Sequence, residues 1–147
     1  MIFLVEDEEK LRRMVSDFLG AKGYEVTAVA TGNEALLRLP LVNPKVVLLD
    51  INLPDISGIE VCRRARDFMG DDVPIIFLTA FDGAEHIKAA LEAGGNDYVL
   101  KTTPLASLLG RIQYWTSPVA KTNRRELRGK ALNDISSLLS RSKGSGA

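Results

Sequence analysis

The sequence is poor in the residues that staple a protein or carry its redox and acid–base chemistry. Of its 147 residues one is a cysteine, Cys62, and one is a histidine, His86. A lone thiol excludes a disulfide framework and a cysteine-based metal site, and it fits a reducing, cytoplasmic setting. The single histidine has no catalytic partner in the sequence and is expected at the surface. Long apolar runs are also missing. The longest, Ile2–Val5, Val46–Leu49 and Val73–Leu78, hold four to six residues, against about 20 for a membrane-spanning helix. The first residues run apolar and then acidic, the reverse of a signal peptide. Neither GxxxxGKS/T nor GxGxxG occurs, so no nucleotide cradle is expected.

Net charge is absent too, but that absence is only a sum. The chain carries 19 Lys and Arg against 19 Asp and Glu. Residues 1–115 hold 12 basic and 17 acidic residues, a net of −5, and residues 116–147 hold 7 and 2, a net of +5. An acidic body with a basic tail is a different object from a neutral protein.

What is present fits one domain with a short appendage. A chain of this length buries roughly 68–70% of its unfolded surface and needs no staple. Hydrophobic residues make up 46% and charged ones 26%, an ordinary globular balance. Residues 1–115 alternate between two hydrophobic periods. Strands are expected at Ile2–Val5, Tyr24–Ala30, Val46–Leu49, Ile75–Leu78 and Tyr98–Leu100. Between them, Leu11, Met14, Val15, Phe18 and Leu19 form a helical stripe stopped by Gly20 and Gly23. Asn33–Leu39 reads as a short helix closed by Pro40. Ile59–Met69 follows, with Val61, Cys62, Ala65, Phe68 and Met69 on one side. Glu85–Ala93 ends at Gly94-Gly95. Leu105, Leu108, Leu109 and Ile112 mark a fifth helix, with Thr103 and Pro104 at its N-cap and first turn. Fully apolar strands alternating with helices predict a parallel sheet covered on both faces.

In such sheets ligands bind outside the carboxyl ends of the strands. The residues there are Glu6 and Asp7, Asp50, Thr79, and Lys101. Gathering three carboxylates costs free energy, because each disfavours the ionised form of the others. A divalent cation relieves that cost, and hard oxygen ligands favour Mg²⁺. The set suggests phosphoryl transfer: Asp50 as nucleophile, the metal and Lys101 neutralising phosphoryl oxygens, Thr79 donating a hydrogen bond.

These stretches resemble the receiver domain of two-component response regulators. The resemblance is carried by Val5-Glu6-Asp7-Glu8, by Leu48 to Asp55 with Gly58, by Pro74 to Ala80, and by Ala93 to Lys101. It covers residues 1–115 in order and spacing. It implies a flavodoxin-like (βα)5 fold with strand order 2-1-3-4-5. It implies that Asp50 accepts a phosphoryl group from a histidine kinase or a histidine phosphotransfer protein. Asp7, Asp50 and the backbone carbonyl of Asn52 would bind Mg²⁺, with Glu6 holding a metal-bound water. Thr79 and Lys101 would contact the phosphoryl group, and Tyr98 matches the switch aromatic. The change would be read at the face of the fourth helix, fifth strand and fifth helix. Phe81 stands where the family flanks the phosphoryl group. Such a domain regulates rather than turns over substrate, with only weak self-phosphorylation and autodephosphorylation. One departure stands out. The family follows its lysine with a cis proline; here Thr102 and Thr103 follow Lys101. A non-proline cis bond costs about 2.5–4 kcal/mol, so Lys101–Thr102 is expected to be trans.

Competing classes fit less well. A haloacid-dehalogenase-type phosphatase wants a second aspartate where Asn52 stands. A flavodoxin-type electron carrier wants a Ser/Thr-rich loop where Glu6–Glu9 stand. A non-phosphorylated pseudo-receiver is a further reading, although no site residue is missing. Domain bounds are expected at 1–117 for the receiver and 118–147 for the basic tail, with one helix at about 124–141 opened by Asn123 and Glu126. That helix would serve as a linker to an output domain or as a dimer helix. The tail's seven basic residues are too unspecific to imply nucleic acid, and no membrane span is expected.

Overall fold

A computed structural model describes residues 1–120. The expected tail helix at about 124–141 lies outside the described residues. Five strands, β1 (Ile2–Val5), β2 (Val26–Val29), β3 (Val46–Leu49), β4 (Ile75–Thr79) and β5 (Asp97–Leu100), alternate with five helices. The helices are α1 (Glu9–Ala21), α2 (Gly32–Arg38), α3 (Gly58–Met69), α4 (Ala84–Glu92) and α5 (Leu105–Trp115), with a 3-10 turn at Leu39–Leu41 after α2. The strands form one sheet in the order β2-β1-β3-β4-β5, and every pairing is parallel. This is the expected flavodoxin-like arrangement.

The strands lack polar alternation because both faces are covered. Phe3, Val5, Val47, Leu49, Ile75 and Phe77 point to one side, where Ala35, Val61, Cys62, Ala65 and Ala90 meet them. Ile2, Leu4, Val46, Leu48, Ile76 and Leu78 point to the other, against Val15, Leu19, Leu108, Ile112 and Trp115. Cys62 is a packed thiol, and Trp115 is a buried packing residue. His86 is exposed.

Several local expectations are corrected. Met14 is 51% exposed. At about 100° per residue it stands at the margin of the α1 stripe, whereas Leu11, Val15 and Phe18 cluster at its centre. Phe68 is 44% exposed, because the last turn of α3 lines a surface groove with Leu39 to Pro44. Thr103 does not cap α5. Pro104 holds the cap position without a side-chain bond, and its carbonyl accepts from Ser107 and Leu108. Beyond α5 a new turn begins. Ser117 Oγ accepts from the Ala120 N–H at 3.3 Å, as an N-cap does.

Candidate functional site

The parallel order sets the site. β1 and β3 are neighbours whose connections leave to opposite sides, so their carboxyl ends flank the switch point of the sheet. Glu6 and Asp7 leave β1 there, and Asp50 leaves β3. One carboxylate oxygen from each of the three lies within 4.8 Å of the others. Glu6 and Asp50 are buried, Asp7 exposed. From β5, Lys101 reaches across: its Nζ donates to Asp50 Oδ2 at 2.9 Å and lies 2.8 Å from Glu6 Oε1. The one ammonium thus bridges both buried carboxylates.

Burial pushes Glu6 from its ordinary 4.5 up to about 7, with the Asp50 charge adding to the shift and Lys101 opposing it. Burial works against the Lys101 ammonium, yet the bond to Asp50 and the nearness of Glu6 hold its pKa above the ordinary value. Three carboxylates gathered on one rim, two of them buried and sharing a single ammonium, suit a hard divalent cation. Among the described residues this cluster can hold a metal ion.

Backbone geometry holds the acceptor loop close. A Cβ on Gly58 would stand 1.8 Å from the Asp50 carbonyl oxygen, so only glycine fits. Asn52, exposed, donates its N–H to Asp50 Oδ1 at 3.3 Å. Thr79 is buried at the end of β4, and its hydroxyl oxygen accepts from Phe81 N–H at 3.5 Å. Tyr98 is half-buried, and its hydroxyl donates to the Phe81 carbonyl. Burial, with the charges of Asp50 and Asp82, pushes that phenol up to about 12. Phe81 stacks on His86, with ring centroids 4.7 Å apart. The Lys101–Thr102 bond is trans, as is every peptide bond among the described residues.

Two residues went without a role in the sequence reading. Arg12 Nη1 donates to the carbonyls of Glu6 at 2.9 Å and Asp7 at 3.2 Å, pinning the acidic turn from α1. Asp55 ties the acceptor loop to α2 through Gly32 and Asn33. Arg12 lies one helical turn beyond Glu8, which is the only sequence hint of its reach.

Fold and cluster together define a class: open parallel α/β proteins that handle a charged ligand at the sheet's switch point. The chain belongs to the response regulator receiver domain family, whose model matches residues 2–113. It is 38% identical over 112 residues to the response regulator MprA of Mycolicibacterium vanbaalenii, covering 76% of this chain and 48% of that protein. The Mycobacterium leprae MprA matches at 38% over 112 residues as well, covering 76% and 49%. The chain thus spans about half the length of the relatives it matches. Among solved structures, the receiver domain of Klebsiella pneumoniae RstA, in a BeF3-activated form, superposes with a TM-score of 0.74 at 35% identity, covering 78% of this chain and 97% of that one. A CheY-like receiver from Methanospirillum hungatei superposes at 0.75 with 28% identity, covering 78% and 91%. The chain is therefore a regulatory domain of the two-component kind.

Proposed function

We propose that Asp50 is the phospho-acceptor of this receiver and that Glu6, Asp7, Asp50 and the Asn52 carbonyl form its Mg²⁺ site. The observation that carries the reading is Lys101, which bonds Asp50 Oδ2 at 2.9 Å and stands 2.8 Å from Glu6 Oε1. Bound Mg²⁺ would neutralise phosphoryl oxygens and offset the repulsion among the carboxylates.

This chain's own residues do the rest. The Asp50 carboxylate attacks the phosphorus of a phosphohistidine on a histidine kinase or phosphotransfer protein. An O–P bond forms, the N–P bond breaks, and the imidazole leaves with the electron pair and takes up a proton. Lys101 exchanges its hold on the free carboxylate for a charge-assisted bond to the phosphoryl group. Thr79 turns its hydroxyl proton toward a phosphoryl oxygen. That movement loosens the Phe81 amide, and Tyr98 leaves the Phe81 carbonyl and turns inward. The phosphoryl group adds about −1.5 to −2 charges in ordinary phosphoresidues, a local event that biases a two-state loop. The face of α4, β5 and α5 carries the change outward. Small phosphodonors would serve weakly, and hydrolysis of the acyl phosphate would reset the switch.

The domain would act in the cytoplasm as the module 1–117 of a larger regulator, with 118–147 linking to an output domain or pairing two copies. Among the described residues no helix is long and apolar enough to cross a membrane. The test is incubation with acetyl phosphate and Mg²⁺, followed by intact mass. One phosphoryl mass is expected on the wild type and none on Asp50→Ala. An unmodified wild type, or an adduct surviving in Asp50→Ala, overturns the assignment.

A further inference from the structure

The chain between Asp50 and Gly58 is fastened at three places. Asn52 N–H donates to Asp50 Oδ1 at 3.3 Å. Leu53 and Gly58 both donate to the Ile51 carbonyl, at 3.1 and 2.8 Å. The third fastening reaches far back in the sequence. Asp55 Oδ1 accepts from Gly32 N–H at 2.9 Å, and Oδ2 from Asn33 N–H at 2.7 Å. These are the first N–H groups of α2, which have no carbonyl partner within the helix. The neighbouring donor, Glu34 N–H, goes to Thr31 Oγ1 at 3.1 Å. Packing locks the same junction: a Cβ on Gly32 would stand 2.6 Å from Ile56 Cγ1 and 2.8 Å from Val61 Cγ2. What little burial Asp55 has opposes ionisation, but the Asn33 and Gly32 amides hold its carboxyl below the usual value.

We propose that Asp55 is a positioning residue for the cation site, acting through the loop between β3 and α3 on the Asp50 carboxylate and the Asn52 carbonyl. This rests on the Mg²⁺ reading given above. Asp55 is exposed and touches no reacting atom. Its two bonds fix the middle of a loop whose first turn presents Asn52 N–H to Asp50 Oδ1. At 3.3 Å that bond is long and easily lost when the loop drifts. Asp50 then keeps Lys101 on Oδ2 but loses the hold on Oδ1. The Asp50 carboxylate and the Asn52 carbonyl, which would hold the cation, then lose their alignment together, although no direct ligand has changed. Groups hydrogen-bonded directly to a metal ligand typically carry about 10–100-fold in affinity, and Asp55, which acts one step further out through the loop, is set at the low end.

The test titrates Mg²⁺ alone by calorimetry into the wild type, Asp55→Ala, Asp55→Asn and Thr31→Ala. Asp55→Ala is expected to bind Mg²⁺ about 10-fold more weakly. Asp55→Asn keeps one acceptor oxygen and should fall between. Thr31→Ala removes a cap from the same helix end, so it lowers thermal stability but should leave Mg²⁺ affinity unchanged. In the wild type, added Mg²⁺ should also shift the amide resonances of Gly32 and Asn33. A folded Asp55→Ala with wild-type affinity overturns the proposal, and so does an equal loss in Thr31→Ala. Should Asp55→Ala fail to fold, Asp55→Asn decides: weakened binding supports the role and unchanged binding refutes it. A wild type that binds no Mg²⁺ removes the metal reading itself, and this proposal falls with it.

Discussion

The two ends of the sheet each hold a cation, and they hold it in opposite ways. At the carboxyl ends, Lys101 is shared between two carboxylates, Asp50 and Glu6. At the amino ends of β4 and β5, Arg66 bonds the Gly94 carbonyl through both Nε and Nη2, the Gly70 and Val73 carbonyls through Nη1, and Asn96 Oδ1 through Nη2. Asn96 Oδ1 in turn accepts from Ile75 N–H at 2.9 Å. The guanidinium thus stitches the end of α3, the turn into β4 and the turn into β5. Its acceptors are dipoles in a fixed fan that suits a planar donor. Lys101 sits among charges that, on the function proposed above, a metal ion or phosphoryl group would replace. On that reading one end is built to stay, the other to exchange partners.

The largest effect should come from breaking the fixed end. Arg66→Ala takes the donor from the buried Gly94 carbonyl and the half-buried Val73 carbonyl and one of two partners from Asn96 Oδ1, and should cost about 3 kcal/mol in urea unfolding. Folded protein should still be phosphorylated, and Arg66→Lys should recover little because one ammonium cannot span the fan. Equal stability in Arg66→Ala would erase the contrast. Next comes Lys101→Met. It leaves Asp50 and Glu6 facing each other, and should cost about 2 kcal/mol without metal, with part returned by Mg²⁺ but phosphorylation lost. If Mg²⁺ returned nothing, Lys101 would be as fixed as Arg66.

A pH series isolates Glu6. Its folded pKa of about 7 lies above the ordinary 4.5, so the folded state binds a proton that the unfolded state has released. Stability of the metal-free protein should therefore fall as pH rises from about 4.5 to about 7. Glu6→Gln should flatten that fall in chemical denaturation curves, and a wild type that gains stability across this window contradicts the sign. The smallest effect belongs to Ser117→Ala. It removes the Ala120 cap bond and should lower stability by about 1 kcal/mol, without changing Mg²⁺ affinity.

Much of this was readable beforehand. Short, β-branched apolar runs such as Val46–Leu49 read as strands buried on both faces, and parallel order places the residues after each strand on one rim. That is why Glu6, Asp7, Asp50, Thr79 and Lys101 could be grouped without coordinates. Asp55 and Arg66 escaped because their distant partners, the Gly32 and Asn33 amides for one and the Gly94 carbonyl and Asn96 Oδ1 for the other, leave no periodic trace in the sequence. Met14 escaped because a stripe's margin looks like its centre when only spacing is counted. Thr103 failed as a cap because Pro104 occupies the position, and a hydroxyl one residue early cannot reach the first free amides.

Gly58 has a consequence for how this protein can vary. Every single-base change that replaces a glycine codon with another residue introduces a side chain, and each of those begins with a Cβ. Here that carbon would lie 1.8 Å from the Asp50 carbonyl oxygen. No missense neighbour of the Gly58 codon avoids the collision. In a library of random single-base variants selected for signalling, position 58 should therefore be as empty of substitutions as position 50, although it donates no atom to the chemistry.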